Sequence, residues 1–280
     1  MIIATLKRVF GFVLIATALI SAVALAWERP LRPLGHLFIY EKNDDFPVFS
    51  SGVVALQMDH LGELITQTLP SSHVHLYSQN DLRSQTTSSG PLIWDPAFYG
   101  LDPKSPMLLD LQKLAQSGTK EPIDVLTLTH SDGNIIEIGF GNTAGVISVQ
   151  SLMDAIPSAL VPNLRLFSNT GCYGADSYKA ALTKGFRVAV GAPYVSLGPL
   201  IIEEFLTQWL QGASAEQAAS RMNWSCTHSL LWKTVFAEAN HAGALEQNFD
   251  SIDEYCQQSG MTVIPAYPGA ERITIESSVP

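Results

Sequence analysis

Charge is scarce in this chain: only 15% of its 280 residues are Asp, Glu, Lys or Arg, and bases are the rarer kind, 16 against 26 acids. The formal net charge is −10 at pH 7. A surface so poor in cations excludes nucleic acid as a partner, because a phosphate backbone is bound by a basic face. Internal repeats and low-complexity tracts are also lacking. At 46% hydrophobic residues, the chain has ample material for a core and is not a disordered polymer. Several chemical signatures are missing too. No Cys/His spacing of a zinc site is present, and the Gly-rich turns do not form a dinucleotide fingerprint. A phosphatase-type Cys loop would need Arg six positions after Cys172, where Tyr178 stands. No metal and no cofactor is therefore expected.

Against this scarcity, one apolar run stands out. Lys7 and Arg8 are followed by 19 uncharged residues, Val9 to Trp27, which close on Ala24-Leu25-Ala26. A short basic segment, an apolar stretch and an Ala-x-Ala end describe a secretory signal over residues 1–26. The run is also nearly the roughly 20 residues that span a bilayer, so an uncleaved anchor through residues 9–27 fits as well. Arg29 and Arg32, just after it, weaken the charge asymmetry. Either reading exports the domain 27–280, to a periplasm or the extracellular space.

Only three cysteines occur, Cys172, Cys226 and Cys256. In an oxidising compartment two can pair. Cys226 and Cys256 flank a helix-rich tail and are the expected disulfide, which leaves Cys172 as a thiol, either functional or buried and inert.

Short β-type runs alternate with helical ones, the pattern of an α/β fold with a mostly parallel sheet of about six strands covered by helices on both faces. Strands are expected at His36–Tyr40, His73–Tyr77, Ile123–Thr129, Leu164–Ser168 and Phe186–Val190, with an edge strand at Arg272–Glu276. Ile135–Phe140 reads as a short hairpin arm. Helices are expected at Val53–Leu69, Met107–Gln116, Val146–Ile156, Ala175–Lys184 with Gly185 as C-cap, and from Pro199 to Gly212. Ser214 and Gln217 form a capping-box pattern for another, and Ser229–Gln258 reads as mostly helical. The polar connection Asn80–Ser105 is long enough to be a gate or processing site. His73 and His75 share one face of the second strand. With no third ligand near in the sequence they read as solvated or core-edge residues. The Asn223-Trp224-Ser225 sequon matters only where the source glycosylates.

In open α/β sheets, reactive groups sit just beyond the carboxyl ends of central strands. One such strand runs into Thr129-His130-Ser131-Asp132-Gly133, and another into Thr170-Gly171-Cys172-Tyr173-Gly174. If these strands are parallel neighbours, about 4.8 Å apart, His130 and Cys172 project at one edge. The imidazole can then take the thiol proton, while glycines beside each residue let backbone N–H groups approach an oxyanion.

An apolar strand ending in His, then a helix, then an apolar strand ending in Cys about forty residues on, resembles the caspase-like cysteine peptidases. The run after Cys172 is similar to the CHAT branch of that family: a helix, Gly185, the strand FRVAVGAPYVS, a helix ending at Gly212 and Ser-Ala-Glu-Gln-Ala-Ala. The resemblance covers roughly Ile123 to Arg221. It implies a caspase-like three-layer domain that hydrolyses peptide bonds in a peptide or protein substrate. Cys172 would be the nucleophile and His130 the general base. The backbone at Ser131, Gly133 and Cys172 would line the oxyanion hole, and Ala192 to Ser196, notably Tyr194 and Ser196, would border the substrate pocket. One departure is plain: a Gly usually follows the His directly, whereas here Ser131 and Asp132 precede Gly133.

Two rival functions remain. An amidotransferase-like hydrolase would use the same Cys with a downstream His, His228 or His241. A catalytically inactive member of the fold would serve as a binding or scaffold module. Nothing in the sequence sets an oligomeric state.

Overall fold

A computed structural model describes residues 35–41, 64–65, 67–78, 86–87, 90–91, 106–128, 131–133, 135–138, 145–241, 245 and 249–277. The apolar run Val9–Trp27, most of the helix expected over 53–69 and most of the connection 80–105 lie outside the described residues. Among the described residues no helix is long and apolar enough to cross a membrane.

The strands are β1 (His36–Glu41), β2 (Val74–Ser78), the short pair β3 (Thr86–Thr87) and β4 (Gly90–Pro91), β5 (Ile123–Leu128), the hairpin β6 (Ile135–Ile138) and β7 (Gly145–Ser148), β8 (Leu164–Asn169), β9 (Val188–Gly191) and β10 (Thr262–Pro265). Six of them form one sheet in the order β10-β9-β8-β5-β1-β2. Five run parallel, and β10 closes one edge antiparallel to β9. Parallel sheets are buried on both faces, which is why the central strands read as nearly continuous apolar runs. Every residue of β8 is buried.

Alternation sorts the side chains onto two cores. Leu37, Leu126, Leu166, Val188 and Val190 face one side. There they meet α4 (Gly198–Leu210), α5 (Ala215–His228), α6 (Leu230–His241) and α7 (Ile252–Ser259). Ile123, Val125, Phe167 and Ala189 face the other side, against α1 (Pro106–Ser117), α2 (Val149–Ala155) and α3 (Tyr178–Lys184). The result is the expected three-layer α/β architecture. Polar residues start and stop these helices. Ser214 and Gln217 close a full capping box on α5. Ser251 caps α7 with Asp253 and Glu254 in its first turn, where carboxylates favour the helix dipole. Gly185 ends α3 at φ +120°, a conformation that a side chain would strain.

A buried ion pair joins the two central strands. The register of β5 on β8 slips between Ile123 and Asp124, so Arg165 is the extra residue of a bulge. Its guanidinium grips the Asp124 carboxylate through Nε at 2.8 Å and Nη2 at 2.7 Å. Leu166 N–H and Trp209 Nε1 also donate to that carboxylate, at 3.2 and 3.0 Å. Arg165 Nη1 donates to the carbonyls of Ile275 and Ser277. Cys226 of α5 and Cys256 of α7 are joined by a disulfide, 30 residues apart in the chain.

Three expectations need correction. The edge strand is β10, not Arg272–Glu276. That segment carries a 3-10 turn at Ala270–Arg272 and only an isolated bridge from Thr274 to Ser214. Its apolar residue Ile275 is buried, and its carbonyl serves Arg165 rather than a strand ladder. The helix expected from Val146 begins at Val149, because Ser148 caps it and 145–148 pair with β6 instead. The helical tail is interrupted, with α6 ending at His241 and α7 beginning at Ile252.

Candidate active site

Cys172 lies in the turn that follows β8, at the carboxyl edge of the sheet. It is partly buried and packs against the larger core. The turn is fixed from three directions. Thr170 N–H and its Oγ1 both donate to the Thr127 carbonyl on β5, each at 3.0 Å, which extends the parallel ladder past the end of β8. From the strand side, Asn169 Oδ1 accepts from Gly171 N–H at 3.1 Å. The segment after β9 supplies the third brace: Tyr173 N–H donates to the Tyr194 carbonyl and Ala175 N–H to the Ala192 carbonyl, both at 2.9 Å. Tyr173 adopts φ +54°, the sole positive φ at a non-glycine residue among the described residues. Such strain persists only where the surroundings hold it, and it gathers at functional turns.

The thiol has a donor of its own. Ser196 N–H points at Cys172 Sγ, 3.4 Å away. A backbone donor aimed at sulfur favours the thiolate over the thiol. Ser196, proposed from sequence as a pocket residue, is buried and directs its hydroxyl to the Thr170 carbonyl at 2.6 Å. It therefore braces the cysteine turn with both polar groups. Tyr194 is half-buried and edge-on to Tyr173, with ring centroids 5.2 Å apart. Beneath the thiol, burial pushes the Tyr255 hydroxyl well above the usual phenol range, so it stays protonated while accepting from Leu197 N–H.

His130 lies outside the described residues, but both sides of it along the chain are described. Before it comes β5, the parallel neighbour of β8, with Thr127 opposite Asn169. After it comes Ser131, whose Oγ accepts from Asn169 Nδ2 at 3.1 Å. Asn169 is fully buried and also receives the Thr127 hydroxyl at 3.2 Å. It is a clip between the two turns that the sequence does not announce; an amide as the last residue of a central strand was the available signal. Gly133 packs directly on the cysteine turn at φ +90°: a Cβ there would stand 2.7 Å from the Tyr173 carbonyl oxygen and 2.6 Å from Asp176 Cβ. Its N–H, an expected oxyanion donor, is engaged by Ser131 Oγ at 3.0 Å. The rival bases are placed differently. His228 is exposed on α5, stacked on Trp224 with centroids 4.5 Å apart, and His241 is exposed at the end of α6.

A second cluster of titratable groups sits at the opposite edge of the sheet. His36 opens β1, His73 leads into β2, and Glu121 precedes β5. For His73 the expectation of no further donor nearby does not hold, because folding brings His36 and Glu121 beside it, while His75 meets His36 from the other side of that ring. Burial, then the neighbouring His73, lowers the pKa of His36 despite the opposing pull of Glu121. Burial, then His36, lowers that of His75 to about 4. Pairings between residues 36, 73, 75 and 121 leave no local spacing for a sequence reading to find.

No family model matches the chain, and no curated protein matches it. Among solved structures it is similar to a secreted C11 cysteine protease from Bacteroides thetaiotaomicron, held with an irreversible peptide inhibitor, at 13% identity and a TM-score of 0.44. That match covers 83% of this chain and 66% of the protease, so this chain spans just under two thirds of it. It is also similar to pro-sf-caspase-1, at 11% identity and a TM-score of 0.41, over 85% of this chain and 94% of that one.

Proposed function

We propose that this chain is a cysteine peptidase of the caspase-like kind, with Cys172 as nucleophile and His130 as general base. The observation that carries the reading is the Asn169–Ser131 hydrogen bond of 3.1 Å. It ties the residue immediately after His130 to the strand that delivers Cys172. The parallel pairing of β5 with β8 supports it further, since both candidate residues follow the carboxyl ends of adjacent strands.

In this mechanism His130 takes the thiol proton and the Cys172 thiolate attacks the scissile carbonyl carbon. The carbonyl π electrons move to oxygen, and backbone N–H groups at Ser131 and Cys172 hold that oxyanion. Gly133 N–H would join them only if its turn released Ser131 Oγ. Collapse of the intermediate breaks the C–N bond, and His130 gives its proton to the departing amine. Water, deprotonated by His130, then cleaves the thioester and restores the thiol. Tyr194 would border the subsite for the substrate side chain.

Export belongs to the same proposal, with residues 1–26 as signal peptide or residues 9–27 as anchor and 27–280 as the working domain. The Cys226–Cys256 disulfide supports it, because such bonds persist in oxidising compartments. The test is hydrolysis of a fluorogenic peptide library by the purified full chain. The proposal expects turnover that is abolished in Cys172→Ala and in His130→Ala. Turnover that survives Cys172→Ala would end it.

A further inference from the structure

We propose that His36, His73 and Glu121 form a structural binding site for a divalent transition-metal ion of the zinc class, at the amino-terminal edge of the sheet. One ligand atom from each of the three lies within 4.8 Å of the others. His36 Nε2 is 3.0 Å from Glu121 Oε2, and His73 Nδ1 is 3.6 Å from the same oxygen. Around a tetrahedral ion with bonds of 2.0–2.2 Å, donors stand about 3.3 Å apart. Two of the three separations bracket that value, and the third lies within 4.8 Å.

The individual donors fit an ion better than they fit each other. His73 Nδ1 is shut off from solvent and has no hydrogen-bond partner. The Glu121 carboxylate stands 3.6 Å from it, beyond hydrogen-bond reach. A buried ring nitrogen left in that condition is costly, and coordination satisfies it. His36 carries the second sphere that metal-bound imidazoles have: its Nδ1 meets His75 Nε2 at 3.2 Å, and His75 Nδ1 faces Asp110 Oδ2 at 3.9 Å. In the tautomer that donates Nδ1–H to His75, the Nε2 lone pair of His36 faces Glu121.

Two imidazoles and one carboxylate select zinc-class ions over calcium or magnesium, which require oxygen donors. Glu121 is about one-third exposed (35%), so solvent can complete the coordination shell. The backbone is held rigid around the donors. His36 N–H donates to the Pro122 carbonyl at 2.8 Å, His36 pairs with Ile123, and Leu37 pairs with Val74. An ion here would fasten the starts of three adjacent strands, roughly 17 Å, or one strand length, from the edge that bears Cys172. Its role is therefore stability of the folded state rather than the reaction.

The test uses the full chain, stripped with a chelator and titrated with Co2+ and with Zn2+. Expected are one equivalent of tetrahedral cobalt d–d absorption without a thiolate charge-transfer band, and a zinc-dependent rise of several degrees in Tm. Cys172→Ala should bind as the wild type does. Glu121→Gln and His73→Gln, at the more exposed donors, should bind at least tenfold more weakly and lose the Tm rise. If either variant fails to fold, the wild-type melt decides: chelation must lower Tm and zinc must restore it. No stoichiometric binding by the wild type, equal binding by the donor variants, or binding that vanishes in Cys172→Ala would overturn the site.

Discussion

Removing the Asp124 carboxylate should be the most damaging single change in the sheet. In Asp124→Ala, the Arg165 guanidinium stays in a site where the residue is 1% exposed and loses the carboxylate that grips it through two nitrogens. Four donors lose their acceptor at once: Arg165 Nε, Arg165 Nη2, Leu166 N–H and Trp209 Nε1. Breaking a buried pair from one side costs about 3–5 kcal/mol, because the remaining charge is uncompensated. Set against a total stability of about 5–15 kcal/mol, this is a large fraction. With a urea m-value of roughly 2–3 kcal/mol/M, the unfolding midpoint should fall by about 1–2.5 M. Asp124→Leu combined with Arg165→Met removes both charges and should recover most of the loss, since apolar replacements of buried pairs are often neutral. A midpoint shift below about 0.5 M in Asp124→Ala, or a double variant no better than the single one, would refute the reasoning.

Reduction of the Cys226–Cys256 disulfide, or Cys226→Ser with Cys256→Ser, should cost about 3.5 kcal/mol for a separation of 30 residues. Urea denaturation checks this, and the labelling rate of Cys172 should not follow. Gly133→Ala inserts a methyl group 2.7 Å from the Tyr173 carbonyl oxygen at φ +90°. It should lower stability by about 1–2 kcal/mol. By displacing the turn it should also slow peptide hydrolysis more than tenfold, as measured by kcat. Acid should weaken the metal-free protein through His75, which faces His36, His73, Asp110 and Lys113 and has its pKa lowered from 6.5 to about 4. The unfolded chain binds the proton first, so this contribution is complete above pH 6.5 and is lost as pH falls toward 4. Urea midpoints from pH 7 to pH 4 should decline, and His75→Phe should flatten that decline.

The parallel strands β5, β8 and β9 were legible because burial on both faces writes them as apolar runs between turn signals, and β1 and β2 because their β-type runs are bounded by such signals. β10 was not, since Thr262–Pro265 follows a helix closely and ends in proline, which reads as a break. The bulge at Arg165 was hidden for a different reason: a charged residue in an apolar strand gives no hint that its partner lies 41 positions upstream. In the site, Cys172 and His130 stood out by residue type and strand context. The supporting parts did not. Asn169 and Ser196 work through hydrogen bonds that exist only once three loops meet, and the His36, His73 and Glu121 cluster assembles from three strands' ends.

The central claim is a thiolate at Cys172 sustained by His130, and the pH dependence of Cys172 alkylation tests it most directly. In the full-length wild type, labelling should be fast at neutral pH, with a midpoint below the value of about 8.5 for an isolated cysteine. In His130→Ala the midpoint should move upward and the neutral-pH rate should fall. Slow labelling with a profile identical in both proteins would contradict the account.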